Sequence, residues 1–267
     1  MQTNCTTLRT LTKTSGIRPT ELGEHEVHDR QKRLSFWDQD KIGNASIGVV
    51  GCGGLGGEYL LKLARLGVGH LVYCDSDIVQ LSNLNRQPFF EHQKGQNKAL
   101  ATSENLNGMC TAETLLEAYA LDFQDLLQIY PDAFSGLDLI ACLVDNEQTR
   151  HDVSEFGLKH GIPVIFSAVS ETSLNGYVSV QIGNGPCYNC SSPIAELDSN
   201  KKQCVDPSVI YIHTVVIGVA VFATAWLMLG KELPWNFYPL NLDAESTPYL
   251  RKKRAGCEVC EGLHEQD

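Results

Sequence analysis

The sequence predicts an α/β fold, a doubly wound and mostly parallel sheet with antiparallel strands toward its C-terminal end. Three observations support this prediction. From residue 46 onward, short apolar runs alternate with helical stretches, as in strands joined by crossover helices. A glycine-rich loop follows the first apolar run and opens a helix. After residue 167 the alternation lapses, and residues 176–182 form an antiparallel strand candidate before a cluster of Gly, Pro and Cys.

The predicted elements follow one another with short connections. The parallel strands are predicted at residues 46–51, 70–75, 112–118, 138–144 and 163–167. The helices are predicted at residues 55–67, 96–106, 121–130 and 146–160. Residues 1–25 are Thr-rich and lack a sustained apolar period, so we predict an N-terminal arm, frayed or extended, before a single domain of residues 26–267. The final residues, 232–267, contain three prolines and a Cys pair and are predicted to be irregular and held by a metal.

Size, charge and cysteine content limit the function. The 267 residues, 43% of them apolar, suffice for one large core. A formal net charge of −11 argues against nucleic-acid binding, which draws its affinity from clustered Lys and Arg. The ten cysteines occur in a long chain that starts without a signal-peptide pattern. We therefore expect a reducing compartment, the cytoplasm.

One segment, residues 209–230, is almost wholly apolar and long enough to span a bilayer. His213 and Thr214 interrupt it, no basic cluster precedes it, and the sequence contains no second span. Helices that are apolar all round also occur inside protein cores and subunit interfaces. We favour a buried helix over a membrane span.

The glycine-rich loop is the first candidate binding site. Backbone N–H groups of such a loop and the following helix N-terminus can face phosphates. Asp75 ends the second predicted strand, where a carboxylate can accept hydrogen bonds from a ribose. These two features describe an NAD-dependent oxidoreductase about as well as an ATP-dependent enzyme. The loop residues are Gly51, Gly53, Gly54, Leu55 and Gly56.

The residues that follow separate these two alternatives. Asp75-Ser76-Asp77 is followed by Ser82-Asn83-Leu84-Asn85-Arg86-Gln87, and Lys98 comes eleven residues after Gln87. Hydride transfer has no need of this cationic pair. Arg86 and Lys98 can instead stabilise the charge that develops on an α-phosphate under attack.

With these motifs the chain resembles the ThiF/MoeB/HesA family of adenylyltransferases, relatives of the ubiquitin-activating enzymes. The family pattern combines a GxGGLG loop, an acidic strand end with D-x-D, the block S-N-L-N-R-Q and a downstream G-x-x-K. Residues 29–34 (DRQKRL) are similar to the R-Q motif that precedes the loop, and residues 145–150 (DNEQTR) to its D-N-x-x-x-R. The resemblance covers about residues 27–265.

The resemblance implies a Rossmann-like domain that uses ATP and Mg²⁺ to adenylate the C-terminal carboxylate of a small ubiquitin-like or sulfur-carrier protein. It implies that the glycine loop, Asp75 and Asp77 bind the nucleotide, and that Asn83, Arg86 and Lys98 bind its phosphates. Asp145 would hold Mg²⁺; taken alone, its position is more typical of a strand-end cap on the following helix. Arg30 would reach the γ-phosphate from a partner subunit, which implies a homodimer.

Three alternatives stay open at this stage. Some relatives adenylate a peptide or a small-molecule carboxylate instead of a protein. A nucleotide-binding scaffold without turnover is the second alternative, and the NAD-dependent oxidoreductase is the third.

Two Cys-x-x-Cys pairs predict a Cys₄ zinc site. Four thiolates meet the tetrahedral preference of a structural zinc ion, which would hold the C-terminal segment against the sheet. Two disulfides in an oxidising compartment are the alternative. Both pairs also resemble the family's zinc knuckles. Their residues are Cys187, Cys190, Cys257 and Cys260.

Cys204 precedes the apolar helix, at the position where many family members carry a cysteine for thioester or sulfur-transfer chemistry. Neighbouring lysines would favour its thiolate. An incidental loop cysteine is the alternative. We assign no catalytic role to His25, His28 or His213, and His213 would need a buried hydrogen-bond partner. The remaining cysteines are interpreted as packing residues.

Overall fold

The computed structural model describes residues 8–16, 26–192 and 207–262, which contain one eight-stranded sheet flanked by helices. The strands are β1 (Arg9–Lys13), β2 (Ser46–Val50), β3 (His70–Cys74), β4 (Leu115–Tyr119), β5 (Leu139–Cys142), β6 (Val164–Val169), β7 (Asn175–Gln181) and β8 (Phe237–Asn241). The helices are α1 (Asp29–Lys32), α2 (Gln39–Asn44), α3 (Gly54–Leu66), α4 (Lys98–Asn107), α5 (Phe123–Ile129), α6 (Glu147–His160), α7 (Ile210–Met228) and α8 (Glu258–Gly262).

The strand order creates a crevice at the carboxyl ends of the central strands. The order is β1-β4-β3-β2-β5-β6-β7-β8. The five strands from β4 to β6 are parallel, and β1, β7 and β8 add antiparallel edges. The chain proceeds outward from β2 to β4 and then returns to β5 beside β2. Ligands bind at such a reversal, outside the carboxyl ends of the strands. The predicted mostly parallel sheet with antiparallel C-terminal strands is confirmed.

Helices cover both faces of the sheet, as its apolar parallel strands require. Helices α3, α4 and α7 pack on one face, and α5 and α6 on the other. The central strands are buried along almost their whole length. Every strand and helix predicted from the sequence is present, with boundaries within three residues of those expected.

Helix α7 is long and apolar enough to cross a membrane, judged by length and composition. In the structure it packs against α3, β6 and β7. The polar side chains on its buried face have protein partners: Thr224 hydrogen-bonds Tyr59, and His213 hydrogen-bonds Ser208. The helix therefore contributes to the core. Its buried residues recur at helical spacing and are Ile212, His213, Val216, Ile217, Ala220, Ala223, Thr224 and Ala225.

Two strands lie where the sequence pattern predicts none. Strand β1 falls within the predicted N-terminal arm and pairs with β4, and Arg9 forms an ion pair with Glu117 at 2.7 Å. Strand β8 falls within the C-terminal segment expected to be irregular and pairs with β7. Both are edge strands, each paired with one neighbouring strand, and Leu11 in β1 is exposed. They form because a neighbouring strand supplies hydrogen-bond partners, a long-range condition that local periodicity does not record.

Candidate active site

The glycine loop between β2 and α3 lies at the strand-order reversal. Gly51 has a φ of +93°, and its N–H donates to the Cys74 carbonyl at 2.9 Å. A Cβ on Gly56 would lie 1.8 Å from the Gly51 carbonyl oxygen. The loop closes this tightly only with glycine at position 56. It places the N-terminus of α3 at the crevice, and the first-turn N–H groups of a helix lack intrahelical partners and favour anions.

The Asp75 carboxylate links the end of β3 to this loop. One of its oxygens accepts a hydrogen bond from the Cys52 N–H at 2.7 Å, and the other accepts from the Asp77 N–H at 2.8 Å. Burial raises the pKa of Asp75, although nearby Lys98 and the two N–H donors offset part of this effect. Each carboxylate oxygen retains a lone pair for a further donor such as a ribose hydroxyl.

Lys98 stands at the first position of α4, and its ammonium is paired with Asp77 at 2.8 Å. Its side chain is only 10% exposed, whereas that of Asp77 is 69% exposed. Asn97 connects the segment after β3 to the start of α4. Its side-chain N–H donates to the Asp75 and Asp77 carbonyls, and its oxygen caps α4. The sequence-based prediction missed Asn97. Its position directly before a predicted helix, together with the preference of Asn for the N-cap, could have indicated its role.

Arg86 and Asn83 lie in the loop after β3. The Arg86 guanidinium donates to the Ser82 carbonyl at 2.7 Å and to the Asn85 side chain at 3.0 Å. Asn83 is buried, and its side-chain oxygen accepts from the Gln80 N–H at 2.9 Å. Both side chains therefore stabilise the loop that carries them.

Asp145 follows β5 and is exposed. It lies at the carboxyl ends of the strands, as the glycine loop does. The residue before it is fixed by Arg150, whose guanidinium donates twice to the Val144 carbonyl, at 2.7 and 3.1 Å. Arg150 is buried and also pairs with Glu147. An exposed carboxylate is a hard oxygen ligand of the kind that Mg²⁺ accepts, so Asp145 fits the role of a magnesium ligand.

The structure does not bring Arg30 to the glycine loop of this chain. Its neighbours on α1 dock at the C-terminal end of α3, where the Gln31 side chain reaches the Leu66 carbonyl. The glycine loop lies at the opposite end of α3, about 18 Å away at 1.5 Å per residue. Arg30 itself is exposed. His28 hydrogen-bonds Thr111 at 2.8 Å, a structural contact.

The four knuckle cysteines converge on one point. All four Sγ atoms lie within 4.8 Å of one another. Neighbouring sulfurs are separated by 3.5 to 3.8 Å. A tetrahedral zinc ion with Zn–S bonds of about 2.3 Å requires sulfurs about 3.8 Å apart, so the cluster fits zinc. Burial opposes ionisation of Cys257, but hydrogen bonds from Cys260 and the other thiols lower its pKa to about 7.

Tyr188, between the first two of these cysteines, connects the cluster to the β5 end. Its hydroxyl donates to Glu147 at 2.9 Å and accepts from Arg150 at 3.3 Å. Sequence reasoning assigned no role to Tyr188 or Glu147. Cys204 lies outside the described residues, as do Cys5 and His25. The packing cysteines within the described residues are buried free thiols, namely Cys52, Cys74, Cys110 and Cys142.

Comparison with known proteins places these features in one family. Residues 28–259 match the ThiF family. The chain belongs to the ThiF family. It is 33% identical over 235 residues to the adenylyltransferase and sulfurtransferase MOCS3 of Sus scrofa, covering 85% of this chain and 50% of that protein. It is 26% identical to the SAMP-activating enzyme E1 of Haloferax volcanii, covering 92% of both chains. The chain thus spans about half the length of its MOCS3 relatives.

Solved structures share this fold. The crystal structure of E. coli MccB with succinimide has a TM-score of 0.73 and 18% sequence identity. The alignment covers 89% of this chain and 75% of that chain. At this identity the likeness concerns the fold alone.

The glycine loop generates a stability prediction. Gly56→Ala should lower the free energy of unfolding by about 1 to 3 kcal/mol or more, because its Cβ would overlap the Gly51 carbonyl oxygen. Gly53→Ala is the matched control, since its Cβ would meet no atom closer than 3.8 Å. Thermal unfolding measures both, at about 2 to 4 °C per kcal/mol. Equal melting temperatures for the two variants would contradict the described closure of the loop.

Proposed function

We propose that this chain adenylates the C-terminal carboxylate of a small ubiquitin-like or sulfur-carrier protein. A carboxylate oxygen attacks the α-phosphorus of MgATP, the bond to the bridging oxygen breaks, and pyrophosphate leaves. The acyl adenylate remains. The observation that carries the proposal is the buried Lys98 ammonium, held by Asp77 beside the Asp75 carboxylate and the glycine loop. The names of its ThiF relatives support adenylyl transfer as the chemistry.

The residues of the site supply positioning and charge, and no strong general base is needed. The attacking carboxylate is ionised at neutral pH. The glycine loop and the N-terminus of α3 would bind phosphate oxygens, and Asp75 would accept from the ribose. Lys98 would leave Asp77 and pair with the phosphates. This is feasible because the exposed Asp77 carboxylate can be solvated when Lys98 leaves it. Arg86 would leave the Ser82 carbonyl in the same way.

Mg²⁺ would be held by Asp145, whose carboxylate projects from the fixed end of β5. When bound, the ion neutralises charge on the phosphate oxygens. Arg150 keeps the Asp145 backbone in place through the Val144 carbonyl. Loss of Arg150 would leave that carbonyl without its two donors.

Pyrophosphate exchange tests the proposal. In the presence of a cognate ubiquitin-like or sulfur-carrier protein, Lys98→Ala should lower the rate of ATP–pyrophosphate exchange by about 10²- to 10³-fold, with a smaller effect on nucleotide binding. Arg86→Ala should act in the same direction. Lys94→Ala is the matched control, because Lys94 is exposed in the loop before α4. A partner protein lacking its C-terminal residues should not support exchange.

Unchanged exchange in Lys98→Ala would contradict the assignment. Exchange supported by peptides or small carboxylic acids, and by no protein of a purified panel, would instead favour the alternative acceptors. Reduction of NAD⁺ without ATP consumption would favour an oxidoreductase.

We further propose a homodimer in which Arg30 completes the partner's site. The separation of Arg30 from its own glycine loop along α3 supports this arrangement, as does the exposure of Arg30. A symmetric dimer can place each Arg30 at the other subunit's crevice.

Mixed dimers test this arrangement. Co-expression of Arg30→Ala with Lys98→Ala chains should restore exchange to about a quarter of the wild-type rate, because half of the dimers then contain one intact site. Arg86→Ala combined with Lys98→Ala is the matched control and should restore nothing, since both residues belong to the same subunit's site. Lack of recovery in the first pair, with dimers present, would contradict action from the partner subunit.

We propose that the four knuckle cysteines bind one structural zinc ion. The short sulfur–sulfur separations support this ligand set, and four thiolates leave no open position for catalysis. Folding and zinc binding should be linked, because the ion would connect the segment after β7 to the C-terminal helix α8.

Metal release measures the zinc content. The wild-type protein should release about one zinc per chain on thiol modification. Cys257→Ser should release little zinc and melt at a lower temperature. Cys110→Ala is the control, because Cys110 is a buried free thiol outside the cluster. The zinc assignment would be refuted if the wild-type protein contained no metal and its melting temperature did not change when a chelator was added.

Two expectations complete the proposal. Cys204 stays our predicted nucleophile for thioester or persulfide chemistry after adenylation. A reducing, cytoplasmic location away from membranes also stays a prediction; the buried free thiols and the packing of α7 support it.

A further inference from the structure

His213 is a polar residue on the buried face of the otherwise apolar helix α7. Its side chain is buried, with 4% of the residue exposed. Nδ1 has no hydrogen-bond partner among the described residues, although buried polar atoms are almost always paired. An unpaired buried nitrogen next to a binding crevice is a candidate contact for a bound ligand.

Ser208 determines which imidazole nitrogen carries the proton. The Ser208 hydroxyl lies 2.6 Å from Nε2. When this hydroxyl donates, Nε2 is the acceptor and the proton of the neutral ring resides on Nδ1. In that arrangement Nδ1–H is the free donor of the ring, and Ser208 positions it.

The Nδ1 side of the ring lies against the glycine loop. A Cβ on Gly54 would be 2.4 Å from Nδ1 and 2.3 Å from Cε1, so the ring approaches this closely only because residue 54 is glycine. Gly54 is the first residue of α3, whose N-terminal N–H groups attract anions. A phosphate bound there would lie beside Nδ1.

The surrounding charges favour a neutral ring. Burial lowers the pKa of His213, the Arg86 guanidinium lowers it further, and Glu58 opposes these effects. At neutral pH the ring is therefore uncharged. A neutral imidazole with one free N–H binds an anion without adding a charge beside Arg86.

We propose that His213 is a nucleotide-binding residue, whose Nδ1–H donates to a phosphate oxygen of ATP bound at the N-terminus of α3, with Ser208 as the residue that positions it. The inference rests on the proposed adenylation function and adds a specific residue to its site. It gives a binding role to a residue to which the sequence alone assigned no catalytic role.

Imidazole ¹⁵N NMR tests the contact directly. Protonated and unprotonated nitrogens of a neutral ring have separate ¹⁵N shift ranges, and comparison with the His213→Asn variant assigns the His213 signals. We expect the Nδ1–H tautomer in the free protein. Saturating MgATP should shift the Nδ1 resonance, whereas adenosine titrated to saturation should not.

Two variants separate binding from structure. His213→Asn can place an amide N–H near the Nδ1 position, whereas His213→Gln can reach Ser208 and leaves no donor beside Gly54. Calorimetry should show that His213→Gln loses at least about tenfold in MgATP affinity, the effect of a lost hydrogen bond to a charged group. It should bind adenosine like the wild type, and His213→Asn should retain most of the MgATP affinity.

The outcomes distinguish this inference from the proposed function. If the wild-type protein binds MgATP while the Nδ1 resonance stays in place, or shows the Nε2–H tautomer with MgATP bound, the His213 inference is wrong and the function stands. Equal losses of adenosine and MgATP affinity in His213→Gln would also overturn it, since they indicate a structural role. A wild-type protein that binds no MgATP would overturn both.

Discussion

The arrangement of the site depends on the Asp75 carboxylate, which accepts one backbone N–H from the glycine loop and one from the segment after β3. Hydrogen bonds to an ionised acceptor are stronger than those between neutral groups. These two hydrogen bonds fix the loop relative to the segment that leads to Lys98. Asn97 reinforces the connection from the other side through the Asp75 and Asp77 carbonyls. The candidate binding groups at the ends of β2 and β3 and at the start of α4 thus form one unit.

The apolar core keeps this unit in place. The close contact of Gly56 with the Gly51 carbonyl sets the direction in which α3 leaves β2. Helix α7 packs along α3 and brings His213 to the same loop. Helix α7, which resembles a membrane span by composition, therefore packs inside the fold and supports the glycine loop.

A second polar network joins the opposite side of the crevice to the cysteine cluster. Arg150 holds the backbone before Asp145, and Tyr188 connects Arg150 and Glu147 to the knuckle between Cys187 and Cys190. Each member has a partner, as buried polar groups require. The geometry of the cysteine cluster and that of the β5 end are thereby physically linked, although their residues are distant in sequence.

The sequence by itself determined the parallel core, the glycine loop, the ThiF-type motifs and the two Cys pairs, because these depend on local periodicity and residue spacing. A short continuous apolar run such as residues 46–51 is typical of a parallel strand whose sheet is covered by helices on both faces. Tertiary structure alone decided that β1 and β8 join the sheet, since edge pairing depends on a distant strand. It also decided that Lys98 is paired with Asp77 and that His213 faces Gly54. Those contacts join residues on different elements, and the folded core brings them within reach.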